Sequence, residues 1–166
     1  ICNLLDTEYS YYKKLGAEKK PSLPEPFTAS RYEDAQRFQN YSCSPVMEGF
    51  EPDTHAAEQW SDPFKGGWIA HKQGSCIKFN VSGGIIMVQY RKTINKPAPV
   101  AYAVIDGDRQ NKVLLDANFD EDWGDLCCLE EIYSGAKGEH TVEIVIDTEG
   151  KENSDFMLIS VITANK

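Results

Sequence analysis

The sequence has no apolar run approaching the ~20 residues that a membrane-crossing helix needs. Clustered basic residues are equally scarce, since 17 Lys and Arg stand against 26 Asp and Glu for a net charge of −9. The longest basic groupings, Lys13-Lys14 and Lys19-Lys20, are too small to neutralise a row of phosphates. Neither nucleic acid nor a membrane is therefore an expected partner. No CxxC pair occurs, and the five cysteines, Cys2, Cys43, Cys76, Cys127 and Cys128, are too odd a number for a closed disulfide framework. Free thiols in a reducing, cytoplasmic compartment are the expectation.

Catalytic motifs are missing too. His55, His71 and His140 are scattered with no pair at zinc-ligand spacing. Ser82-Gly83 and Ser134-Gly135 do not complete a GxSxG elbow, and Cys127 has no identifiable His partner. No catalytic residue is nominated and no enzyme activity is expected of this chain by itself. Neither an initiator Met nor a signal peptide opens it, so the expectation is a fragment whose true N-terminus lies upstream.

What is present has a clear order. Ile1, Leu4, Leu5, Tyr12 and Leu15 recur at helical spacing ahead of Gly16, which predicts a short amphipathic helix over 1–16. Pro21, Pro24 and Pro26 exclude continued helix and predict a linker over 17–29. From residue 30 to 166 short apolar or alternating runs are separated by Gly, Asp, Asn and Pro. About ten strands without an intervening helix predict an all-β domain, an antiparallel β-sandwich of jelly-roll type. In "HTVEIVID" the alternation places Val142, Ile144 and Ile146 on one face, the expected core. "IIMVQY" and "FMLISVIT" are apolar on both faces and should be central strands, while Ser82–Gly84 reads as a tight turn between two strands.

Three stretches invite a site. Asp106-Gly107-Asp108 resembles the start of a calcium loop, but Asn111 stands where an EF-hand needs Gly and Ala117 where it needs Glu, which leaves a hairpin turn. "DANFDEDWGDLCCLEE" carries seven carboxylates in sixteen residues with no basic residue among them. Asp116, Asp120 and Asp122 are the candidate ligands there for a hard cation, with structural calcium the ion such a loop could hold; otherwise no cofactor is expected. The alternative is a solvated acidic loop. Trp123 and Trp60 sit in polar loops and could offer a face to a sugar ring, with Asp122 and Asp125 as polar contacts, whereas Trp68 opens a strand and is expected to be buried.

Four segments carry a resemblance: "GGW" at 66–68, "GSCIKFNVSGG" at 74–84, "AVIDGD" at 103–108 and "GEHTVEIVI" at 138–146. Together they resemble the jelly-roll accessory domains of bacterial SGNH/GDSL-type esterases, over roughly residues 30 to 164. The opening "ICNLLDTEYSYYKKL" is similar to the last helix of an SGNH hydrolase domain. The resemblance implies a sandwich of the galactose-binding or carbohydrate-binding-module kind, following a catalytic domain of the same polypeptide. It also implies that the Ser nucleophile, the oxyanion-hole Gly and Asn and the Asp-x-x-His pair lie upstream, for none is matched here. The role it implies is assistance in carbohydrate binding; the alternative is a docking or oligomerisation module with no ligand of its own.

Overall fold

The computed structural model describes residues 7, 9–11, 13, 28, 30–56, 62–148 and 154–165. Thr7, Tyr9 to Tyr11 and Lys13 are helical and exposed, inside the expected first helix. The rest of that helix and, apart from Thr28, the expected linker lie outside the described residues.

Among the described residues nine strands follow: β1 (Gln36–Phe38), β2 (Val46–Glu48), β3 (Phe50–Pro52), β4 (Trp68–Ala70), β5 (Cys76–Lys92), β6 (Val100–Ile105), β7 (Val113–Asp116), β8 (Leu126–Ile146) and β9 (Phe156–Ala164). Every pairing between named strands is antiparallel. The β-sandwich expected from the strand-and-turn pattern is therefore present, with its segments joined differently. "CIKFNV" and "IIMVQYRK" are not two strands about a turn at Ser82–Gly84; they form one strand of 17 residues. "DLCCLEEIY" and "HTVEIVID" likewise merge into β8, with 21 residues.

The glycines of that stretch serve packing, not reversal. Neither Gly83 nor Gly84 adopts a positive φ, and a Cβ on Gly83 would stand 3.1 Å from the Ile85 carbonyl oxygen and 3.1 Å from the Thr163 Cβ. Gly83 pairs with Gly138, and the register shifts between Gly83 and Ile85 while β8 advances from Gly138 to Ser134. Irregularities of this kind let a strand bend from one sheet layer to another. Before the bend, β5 runs between β2 and the second half of β8, which continues the layer through β6 to β7. After it, β5 runs between the first half of β8 and β9, which carries β4 and β1 on its other edge, with β3 beyond β4.

The core fills the space between the layers. Ile77, Phe79, Val142, Ile144 and Ile146 from one layer share a single buried cluster with Trp68, Ile86, Val88, Tyr90, Phe156 and Leu158 from the other. Trp68 meets Phe79 edge-on at 5.1 Å between ring centroids, tying β4 to β5 across the interior. Gly67 explains the residue before that Trp, since a Cβ there would collide with the Leu158 carbonyl oxygen and the Ile159 backbone. Ile85, Met87 and Ala164 form a second buried cluster on the outer side of β5 and β9, which accounts for the two-sided apolarity of those strands.

Candidate functional site

Where β3 ends at Pro52, the chain turns outward and Asp53 is fixed from both sides. Its N–H donates to the Gly67 carbonyl at 2.9 Å. The Asn40 side-chain amide donates both to the Asp53 carbonyl and to the Gly67 carbonyl, each at 2.8 Å. The Asp53 carboxylate is thereby buried, with 1% of the side chain exposed. Its Oδ1 accepts from the His55 N–H at 3.1 Å and faces the His55 Nδ1 at 2.9 Å. Its Oδ2 is buried with no hydrogen-bond partner among the described residues and lies 3.9 Å from the Lys65 Nζ.

This carboxylate lines a cleft of about 360 Å³ whose other walls are His55, Asp62, Phe64, Lys65, Ile69, Arg91, Asp155 and Met157. Ile69 and Met157, direct partners on β4 and β9, give it an apolar floor. Arg91, near the end of β5, points its Nη1 toward the Asp125 carboxylate at 3.5 Å and donates from Nη2 to the Asp155 carbonyl at 3.4 Å. Its Nε is buried and, like Asp53 Oδ2, has no hydrogen-bond partner among the described residues. Buried polar atoms without partners are uncommon in folded proteins. Here two residues that each carry such an atom, Asp53 and Arg91, line one cleft.

Asp155 is itself held from outside the cleft. The His71 Nδ1 lies 2.7 Å from the Asp155 carboxylate and its Nε2 lies 3.1 Å from the Glu51 carboxylate. The hydrogen bond to Asp155, followed by that to Glu51, raises the His71 pKa above its ordinary value.

The acidic loop reaches the same region through Asp125. Asn118 fastens its start by accepting from the Ala98 N–H at 2.9 Å and donating to the Ala98 carbonyl at 3.1 Å. Asp120 pairs with Lys96 at 2.6 Å, which holds its carboxyl below the ordinary range. Asp116 accepts from the Asn118 side chain at 2.6 Å, and Asp122 is exposed. Asp116 and Asp120 are thus engaged with different partners while Asp122 stands exposed, and among the described residues no three His, Cys, Asp or Glu converge as a metal-holding group. Trp123 is 64% exposed and braced edge-on by Phe119 at 5.1 Å. It does not line the cleft; its link is through Asp125, two residues on, to Arg91. Trp60 lies outside the described residues.

The remaining candidates have structural duties. Asp106 and Gly107 take positive φ values of 51° and 76° in the turn between β6 and β7. The Asp106 carboxylate accepts from the Thr141 N–H at 2.8 Å and meets the His140 Nδ1 at 2.7 Å, and these contacts, His140 first, lower its pKa. Asp108 caps the following 3-10 turn, Arg109–Asn111. Cys43, Cys76, Cys127 and Cys128 are free. Burial pushes the thiols of Cys43 and Cys127 up and, with a hydrogen bond to Glu143, that of Cys76 to about 11. Thiols held protonated in this way are poor nucleophiles.

No protein-family model matches the chain, and no curated protein matches it. Among solved structures it is similar to a two-domain esterase active on acetylated mannans, co-crystallised with mannopentaose. The similarity is 40% in sequence with a TM-score of 0.79, over 99% of this chain and 46% of that one. The chain thus spans just under half the length of that esterase. A family two carbohydrate esterase from Cellvibrio japonicus matches with a TM-score of 0.55 at 14% identity, over 80% of this chain and 34% of that one. The CBM36-1 domain of a multidomain xylanase from the hindgut metagenome of Trinervitermes trinervoides matches at 0.52 and 11%, over 78% of this chain and 95% of that domain. These last two likenesses show the fold alone: a β-sandwich of the carbohydrate-binding-module kind, here corresponding to one portion of a two-domain esterase.

Proposed function

We propose that this chain is the non-catalytic, carbohydrate-binding domain of a larger ester hydrolase of the SGNH/GDSL type, working beside an upstream catalytic domain of the same polypeptide. The observation that carries this is the match over 99% of the chain, at 40% identity, to part of an esterase active on acetylated mannans. Mannan-like polysaccharide is accordingly the ligand we assign.

The chemistry of the cleft supports a sugar. His55, Asp62, Lys65, Arg91 and Asp155 line the cleft, and side chains of these types can donate to and accept from sugar hydroxyls. Trp123 offers an exposed ring to the C–H face of a neighbouring sugar unit. The domain's contribution is then concentration: holding one stretch of polymer raises the local supply of acetylated units at a tethered active site.

Calorimetric titration of the 166-residue chain with mannopentaose tests the reading. Binding should be measurable, fall on Trp123→Ala and on Asp53→Asn, and be unchanged by EDTA. Silence with mannopentaose and with a wider panel of oligosaccharides would remove the carbohydrate reading and leave a docking or oligomerisation module. Acetate release from acetylated mannan by this chain alone would overturn its non-catalytic role.

A further inference from the structure

We propose that His71 is the positioning residue of the cleft: bonded at both ring nitrogens, it holds the Asp155 carboxylate in the cleft wall, so that occupancy of the cleft follows the charge on His71. This rests on the reading of the cleft as a sugar site.

The geometry is a three-membered chain. Glu51, on β3, lies 3.1 Å from the His71 Nε2; Asp155, just ahead of β9, lies 2.7 Å from its Nδ1. A neutral imidazole has one N–H and one lone pair, so it can donate to only one carboxylate and must turn its lone pair on the other. Only the imidazolium satisfies both. Asp155 lines the cleft, and its carbonyl accepts from the Arg91 Nη2 at 3.4 Å. Release of its side chain therefore loosens the residue on which Arg91 rests.

Glu51 and Asp155 are the charged groups that bear on His71, and both favour the protonated ring. Hydrogen bonding to Asp155 and then to Glu51 raises its pKa from the ordinary 6.5. As pH climbs through that raised value the proton leaves, one carboxylate loses its donor, and the wall relaxes. By linkage, a ligand that prefers the ordered wall also tightens the proton on His71.

Two arms on the 166-residue chain test this. In the first, mannopentaose affinity measured from pH 5.5 to 8.5 should fall about two- to fivefold toward the alkaline end, the scale of an exposed ion pair. The fall should vanish in His71→Gln and persist in His55→Gln, which removes the imidazole that lines the cleft itself. In the second, NMR titration of the unliganded chain should show the Arg91 and Met157 amides shifting with the same midpoint as the His71 ring, and Asp155→Asn should lower that midpoint. An unchanged pH profile in His71→Gln, or cleft amides indifferent to the His71 titration, would overturn the proposal. If mannopentaose fails to bind at any pH, the sugar reading falls while the NMR arm still decides whether His71 orders the wall.

Discussion

Replacing Lys65 with Met should destabilise the chain by about 2–3 kcal/mol, and adding Asp53→Asn should restore about 1 kcal/mol of that loss. The Asp53 side chain is 1% exposed and, among the described residues, its Oδ2 has only the Lys65 ammonium, at 3.9 Å, to offset its charge. At that distance two unit charges attract by about 4 kcal/mol with an effective dielectric constant of about 20. Two features reduce the figure: Lys65 is 25% exposed, and His55 shares the carboxylate through Oδ1. Removing one member of a buried pair is costly because it strands the other, whereas removing both charges is much less so. Asp53→Asn alone keeps an oxygen to accept from the His55 N–H and should cost about 1 kcal/mol, the scale of one hydrogen bond. The double variant should then lie well short of the sum, with a coupling of about 2 kcal/mol. Urea unfolding followed by tryptophan fluorescence, under reducing conditions to keep the thiols free, reads all four proteins on one scale. Losses that add within about 0.5 kcal/mol would show that the two groups do not sense one another. The cleft could not then be described as holding a carboxylate in want of a donor.

Asp106→Asn tests the turn. Contacts with His140 and Thr141 lower the Asp106 pKa, so their stabilisation is present above the ordinary carboxyl value of 3.8 and fades as pH drops through the folded value below it. The variant should therefore be less stable at neutral pH and converge with the parent under strong acid, and a constant gap down to pH 2 would contradict this. Gly67→Ala should destabilise by about 3 kcal/mol or more, since its methyl would meet backbone that cannot give way; a melting temperature like the parent's would refute the close approach. Cys76, pushed to about 11, should resist iodoacetamide at pH 8 for as long as the chain stays folded, and rapid labelling measured by mass spectrometry would refute its burial.

Residues whose environment follows from strand alternation could be read from the sequence. Val142, Ile144 and Ile146 are all buried, as their spacing requires, and so is Trp68. Turn chemistry identified the Asp106-Gly107 reversal correctly, because positive φ is a local property. It misled at Ser82–Gly84, where Gly answers to a neighbouring strand's backbone, a contact invisible without the fold. The cleft escaped for a related reason. Asp53, Lys65, Arg91 and Asp155 are far apart in sequence and meet only because β3, β4, β5 and β9 converge. Each histidine likewise has a carboxylate neighbour, Asp53, Asp155 or Asp106, but for His71 and His140 only strand pairing brings it near. Of the candidates chosen for exposure, Trp123 stands clear in solvent and Asp125 borders the cleft through Arg91.

Because β5 and β8 each run through both layers, the sandwich is not two plates pressed together but a strip folded over and stitched along its crease. Neither plate can be peeled away while the other stays whole, since prising one apart unzips the long β5–β8 ladder that also forms the other. Amide protection in the two halves should consequently be lost in a single event, and assembly must wait for partners such as Cys76 and Val145 to meet across a long stretch of chain. In the role proposed above, beside a catalytic neighbour and on a polysaccharide, the crease would act as a seam that spreads a pull at either end over the whole body.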